Sequence, residues 1–130
     1  MTAKLGTRAV IPTDSRDQVV AALASVAQLS ATPNVPDVPT EGAAWPTWVQ
    51  TTFAGSLALP GRATYDVYAL LPAGYITTTV ESADGLLGQL VTALWLIAVV
   101  ELAEPVQVRF DNQTAMPGLR LRITMRGMQQ

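Results

Sequence analysis

Histidine and cysteine are both missing from this 130-residue chain. Without histidine it lacks the side chain that most often moves protons near neutral pH. Without cysteine it has no thiol nucleophile, no disulfide and no redox pair. Zinc, copper and iron–sulfur sites lose their usual soft ligands. Lysine occurs once, as Lys4, and charged residues make up 14% of the chain, against about 25% in ordinary soluble domains. The formal charge of −2 fits neither a basic nucleic-acid binder nor an acidic disordered tail. The longest apolar stretch, Leu86 to Val100, is broken by Gly88, Gln89 and Thr92 and falls short of the roughly 20 residues a membrane helix needs. Met1 to Arg8 carries positive charge with no apolar run behind it, so no signal peptide and no membrane partner are expected.

These absences point to a binding or assembly protein rather than an enzyme, with no catalytic residue, cofactor or metal. What is abundant is apolar: 49% of the residues are hydrophobic. Either the domain is an apolar one of ordinary kind, or neighbouring subunits cover part of it, since contiguous apolar patches mark interfaces. At this length a single domain over 1–130 is expected, with 1–12 as an extended N-terminal arm.

The order of elements reads as helix, two strands, helix, two strands. Ser15 with Gln18 fits a capping box near a helix start at Thr13 or Asp14. Val19, Leu23 and Val26 then recur at helical spacing, and the helix ends by about Ser30. Residues 31–44 form a loop in which Pro33, Pro36 and Pro39 impose an extended path. Trp45 to Ala54 alternates as a strand, with Thr47, Val49, Thr51 and Phe53 on one side and Trp48, Gln50 and Thr52 on the other. Pro60-Gly61 marks a turn. Arg62 to Leu71 alternates next, with Ala63, Tyr65, Val67, Ala69 and Leu71 inward; Pro72-Ala73-Gly74 ends it.

The second helix should begin near Thr78 or Thr79, where Thr78 and Glu81 form another capping box. Its broad apolar stripe implies burial on more than one side, with Gly85 and Gly88 either admitting another backbone, the favoured reading, or only tolerated there, and Trp95 in the core. Val106, Val108 and Phe110 open the last strand pair. A loop from Asn112 to Gly118 leads to Leu119, Leu121, Ile123 and Met125, which alternate with Arg120, Arg122, Thr124 and Arg126. The class is α+β: an antiparallel, possibly mixed, sheet of about four strands with two helices on one face.

No phosphate loop, dinucleotide loop or metal-ligand cluster is present. Glu101 and Glu104 read as solvated residues beside Pro105, and Asp66 as an ion-pair partner for an arginine. The candidate site is an interface. Arg109, Arg120, Arg122 and Arg126 form a basic stripe that either contacts acidic neighbours and passing polyanions or simply guards a solvated face. Arg62 lies on the outer side of its strand. Trp45 and Trp48 are either interface anchors, Trp45 more than Trp48, or plugs over the core, Trp48 more than Trp45.

This layout resembles the tail terminator proteins of long-tailed, siphovirus-type bacteriophages. The likeness spans about residues 10 to 126. It rests on the size, the first helix from Asp14 to Gln28, the hairpin from Trp45 to Leu71, and a second helix opening Thr79-Val80-Glu81-Ser82-Ala83-Asp84. It also rests on the closing strand Met116-Pro117-Gly118-Leu119-Arg120-Leu121-Arg122 and on the low-charge, Ala- and Val-rich composition. The resemblance implies a homo-hexameric ring that caps the tail tube, stops its polymerisation and docks to the head's connector or stopper protein. Genomic DNA would pass through the ring, assembly would take place in the host cytoplasm, and the product would be part of the virion. Arg109, Arg120 and Arg122 would face the lumen or the next ring, and the loops Ala31 to Gly42 and Asn112 to Gly118 would reach neighbours. The proline loop departs from that pattern. Another neck component, or a ligand- or peptide-binding α+β domain, are the alternative readings.

Overall fold

In a computed structural model, residues 12–38, 40–52, 62–72, 79–109 and 115–126 are described, with side chains excepted at 12–14 and 79–83. They form α1 (Pro12–Ala24), β1 (Ser30–Ala31), β2 (Ala43–Thr52), β3 (Arg62–Leu70), α2 (Thr79–Trp95), β4 (Ala98–Val108) and β5 (Met116–Met125). The sheet has five strands in the order β1-β2-β3-β5-β4. β1 runs parallel to β2, and every other neighbour is antiparallel. The class is therefore α+β with a mixed sheet, one short strand richer than the sequence pattern implied. The arm over 1–11, the Pro60-Gly61 turn, Ala73-Gly74, the Thr78–Glu81 cap, and Phe53, Ala54 and Phe110 to Thr114 lie outside the described residues.

The helices share one face of the sheet because the apolar stripes match. Val19, Leu23 and Val26 of the first helical segment and Leu86, Leu90 and Leu94 of α2 pack on Ala63, Tyr65, Val67 and Ala69 of β3 and on Leu119, Leu121 and Ile123 of β5. Burying a leucine or valine fully contributes about 1.5–3 kcal/mol, and these two strands lie at the centre of the sheet. α1 begins at Pro12, a favoured first position because proline has no N–H to leave unpaired. Ser15 is thus inside the helix rather than capping it. Its buried hydroxyl is hydrogen-bonded to that of Tyr65 on β3. The helix ends at Ala24, earlier than expected, and turns carry the chain through Gln28 at φ 74°.

Residues 31–44 are pinned where they leave and return. Ser30 N donates to Gly42 O and Thr32 N to Ala44 O, so Ala43 and Ala44 already belong to β2. Gly42 has φ 85°, and a Cβ there would sit 2.6 Å from Gln28 O; only glycine serves at this point.

The reading of α2 needs three corrections. Gly85 and Gly88 are exposed, and a Cβ on either would meet nothing within 4 Å. Among the described residues no other backbone approaches them. α2 is buried on one face, so Trp95, one residue past Leu94, turns outward and is 51% exposed. β4 starts at Ala98 rather than near Val106, because the apolar run leaves the helix at Trp95 and continues as an edge strand. The expected loop to Gly118 also ends earlier, with β5 beginning at Met116.

Candidate interface

Strand register assigns the face of the sheet opposite the helices. Asp66 lies between Thr47 and Arg122, Tyr68 between Trp45 and Arg120, and Thr64 between Gln50 and Thr124; the rows continue to Leu102, Glu104 and Val99 on β4. The helix-free face thus consists of straight rows crossing four strands.

Its centre is a charge network. Arg122 donates from Nε and Nη2 to the two carboxylate oxygens of Asp66, at 2.9 and 3.1 Å. The fork geometry suits a carboxylate and makes the bonds strong. Asp66 is nearly buried. Hydrogen bonding to it, then its charge, pushes the Arg122 pKa up from an already high value. Arg120 reaches Asp66 at 3.9 Å and also pairs with Glu104. Thr124 donates to Glu101 at 2.6 Å. Glu101 and Glu104 are therefore strand residues engaged with β5, not bystanders beside Pro105. The stripe read as basic is neutralised at its centre by Asp66 and Glu104.

The remaining candidates disperse. Arg126 has left the face: its Nε and Nη2 donate to Trp95 O at 3.3 and 2.8 Å, and its guanidinium lies 5.3 Å from the Trp95 ring centre. Arg62 is exposed at the start of β3, opposite Thr52. Arg109, just past β4, walls a cleft of about 530 Å³ with Val35, Trp45, Tyr68, Val108 and Arg120.

The two tryptophans reverse their expected places. Trp45 is 2% exposed and stacks on Tyr68, its cross-strand partner, with ring centres 5.6 Å apart and planes 15° from parallel. With Ala43 and Leu70 it builds a second small apolar cluster on the helix-free face. Trp48 is 45% exposed, its indole N–H donating to Thr51 Oγ1 at 3.0 Å. Both precede the bulge between Trp48 and Gln50, and plain alternation parts them: Trp45 pairs with Tyr68 on the helix-free face, whereas Trp48 stands opposite Tyr65 on the other.

Exposed large apolar side chains lie on both edges of the sheet, and of these sequence reasoning singled out only Trp48. Trp48 and Val49 lie on β2, and Leu96, Val99 and Leu102 lie at and just before the opposite edge, β4. The signal available in sequence was the alternation resuming at Ala98. A further groove of about 840 Å³ runs between Ser25–Ala27 and the exposed side of α2 at Gly85, Gly88 and Leu96. Among the described residues no group of three or more carboxylates gathers to hold a metal ion, and no helix is long and apolar enough to cross a membrane. No protein-family model matches the chain, and no curated protein matches its sequence.

Proposed function

We propose that this chain is a structural subunit that assembles into a ring, of the kind that caps the tube of a long phage tail and joins it to the head. The observation that carries this reading is the pair of apolar patches on opposite edges of one sheet: Trp48 and Val49 on one, Val99 and Leu102 on the other. Two different patches that complement each other make a heterologous contact, and such contacts repeat around a closed ring. The low charge content supports the same reading, and the sequence pattern of tail terminators supplies the hexameric count, the tube and connector as partners, and the virion as destination. The work of such a subunit is geometric: it matches a tube end on one side and offers no further copy of that end on the other.

Native mass spectrometry and negative-stain images of the purified protein test this. The expected result is a ring, or a monomer that forms rings when tail tubes are added. Tails of uncontrolled length in virions lacking the protein support termination, whereas normal tails without heads support a joining role. A protein that remains monomeric with and without tubes overturns the reading.

A second reading, a ligand- or peptide-binding domain, is favoured by one feature. The cleft beside Trp45 and Tyr68 places an aromatic pair next to Arg109 and Arg120, and the Arg120 Nε is buried without a hydrogen-bond partner. A small anionic aromatic ligand would raise the melting temperature by linkage if this reading holds; the ring reading predicts no such shift.

A further inference from the structure

Every sheet that does not close leaves two edges with unpaired backbone groups, and proteins normally blunt them with lysine, proline, bulges or a covering element. In this chain β1 covers β2 only at Ala43 and Ala44. From Trp45 to Thr52 the outer side of β2 has no strand neighbour among the described residues. That stretch, Trp-Pro-Thr-Trp-Val-Gln-Thr-Thr, holds no charged residue at all. Residues 47–50 are exposed, and β-branched and aromatic types dominate. β4 is the other edge over its whole length. Neither Trp45–Thr52 nor Ala98–Val108 contains a lysine.

Three relations make the two edges complementary. First, β2, β3, β5 and β4 alternate in direction, so β2 and β4 run opposite ways. Copies laid side by side in the same orientation meet with antiparallel strands, and the alternation continues across the joint. Second, the registers set Val99 in the row of Gln50 and Leu102 in the row of Thr47. Thr47 and Gln50 thus stand at the same height and on the same helix-free face as Leu102 and Val99, and joining the edges needs no slip along the strands; Trp48, opposite Tyr65, faces the other way. Third, Pro46 and Pro105 lie toward the same end of their strands, so both edges lose a donor there and the pairing is confined to the opposite end. Pairing β4 with β4 about a twofold would instead set Glu101 and Glu104 of one copy against the same acids of another, a like-charge arrangement that costs stability.

We infer that copies of this chain join edge to edge, β4 of one adding as an antiparallel strand to the uncovered stretch of β2 in the next. The inference rests on the ring reading and names its joint. Backbone hydrogen bonds hold the two sheets in line, with Thr47 and Gln50 of one copy beside Leu102 and Val99 of the other on the helix-free face. The charge-paired face then runs unbroken from subunit to subunit.

Two variants block one edge each: Val49→Lys on β2 and Leu102→Lys on β4. Both positions are exposed, so circular dichroism and melting temperature should match the wild type. Each variant alone should be monomeric in native mass spectra where the wild type is oligomeric. An equimolar mixture should give one-to-one dimers, because one intact joint remains. Amide hydrogen exchange should show the outward-facing amides of 47–52 and 98–104 protected in the wild-type oligomer and open in the variants. If the wild type forms rings that both variants retain, with these amides exchanging freely, the edge joint is wrong and the ring reading stands. If Val49→Lys dimerises by itself, the contact is β4 to β4 and the inference falls. A wild type that stays monomeric up to millimolar concentration overturns the joint and leaves the ring reading to the tube-addition experiment.

Discussion

Asp66 and Arg122 stand directly opposite each other on β3 and β5 and share two hydrogen bonds, at 2.9 and 3.1 Å. The acid is nearly buried while the guanidinium reaches the surface. The asymmetry matters, because the penalty for a lost partner falls on whichever group is cut off from water. Asp66 also holds Arg120 at 3.9 Å, so a single carboxylate organises two cations on the helix-free face.

Replacing the acid and replacing the base should therefore differ. Arg122→Met leaves the nearly buried Asp66 carboxylate with only Arg120, at 3.9 Å, and should lower the melting temperature more. Asp66→Ala leaves two arginines that reach water, Arg120 still paired with Glu104, and should lower it less. Arg122→Glu sets two carboxylates opposite one another and should destabilise the isolated fold, so it is no clean probe of assembly. Thermal melts of the three variants check the order.

Tyr65 joins α1 to the central strand through its hydrogen bond with Ser15. Tyr65→Phe should cost about 0.5–1.5 kcal/mol, the net worth of one such bond. The phenol is pushed above its ordinary value of 10.0, chiefly by burial, with the Ser15 hydrogen bond pulling the other way. A raised pKa in the folded state means that the unfolded chain ionises first. The contribution is full below pH 10 and declines as pH rises through and beyond it. Denaturant titrations across pH 8 to 12 should show a steeper alkaline loss in the wild type than in Tyr65→Phe.

Periodicity made the core legible and left the edges obscure. The stripe Val19, Leu23, Val26 and the inward faces of β3 and β5 were readable because each residue repeats the same environment at a fixed spacing. The pairing of Asp66 with an arginine followed from charge within a strand pattern. The tryptophans were misread because alternation puts Trp45 and Trp48 on opposite faces without saying which is covered; Trp45 is buried against Tyr68, a cross-strand partner distant in sequence. Trp95 was misread because hydropathy alone does not say where an apolar run stops being helix. Its partner Arg126 lies 31 residues away, beyond the reach of any local pattern. The order β3-β5-β4, which sets β4 at an edge, also depends on contacts distant in sequence.

Two glycines should respond in opposite directions to alanine. At Gly118 a Cβ would stand 2.7 Å from Ala69 O and 3.2 Å from Leu70 Cα, both backbone atoms of a central strand. Gly118→Ala should destabilise by about 1–3 kcal/mol, as overpacking does. Gly88 lies mid-helix facing open space, so Gly88→Ala should stabilise by about 1 kcal/mol through helix propensity. Chemical denaturation of the monomer measures both. A stabilised Gly88→Ala monomer that no longer forms rings would bring the α2 groove into the interface as well.

The last turn of α2 contains no basic residue of its own, yet its terminal carbonyl groups carry the negative end of the helix dipole. Arg126 supplies the missing cation from the far end of β5, donating twice to Trp95 O and lying over the Trp95 ring. The same residue fixes the end of β5, since its backbone N–H donates to Ile97 O at 3.0 Å. Arg126→Ala should therefore fray the turn from Trp95 to Ile97, at about 1 kcal/mol for a favourable charge at a helix C-terminus. Arg126→Lys should recover part of this, because an ammonium restores the charge but not the two parallel donors. Amide exchange at residues 95–98 reads the fraying directly. Fast exchange in the alanine variant, with the central strands still protected, is the expected result; unchanged protection would mean that side-chain capping contributes nothing to this helix end.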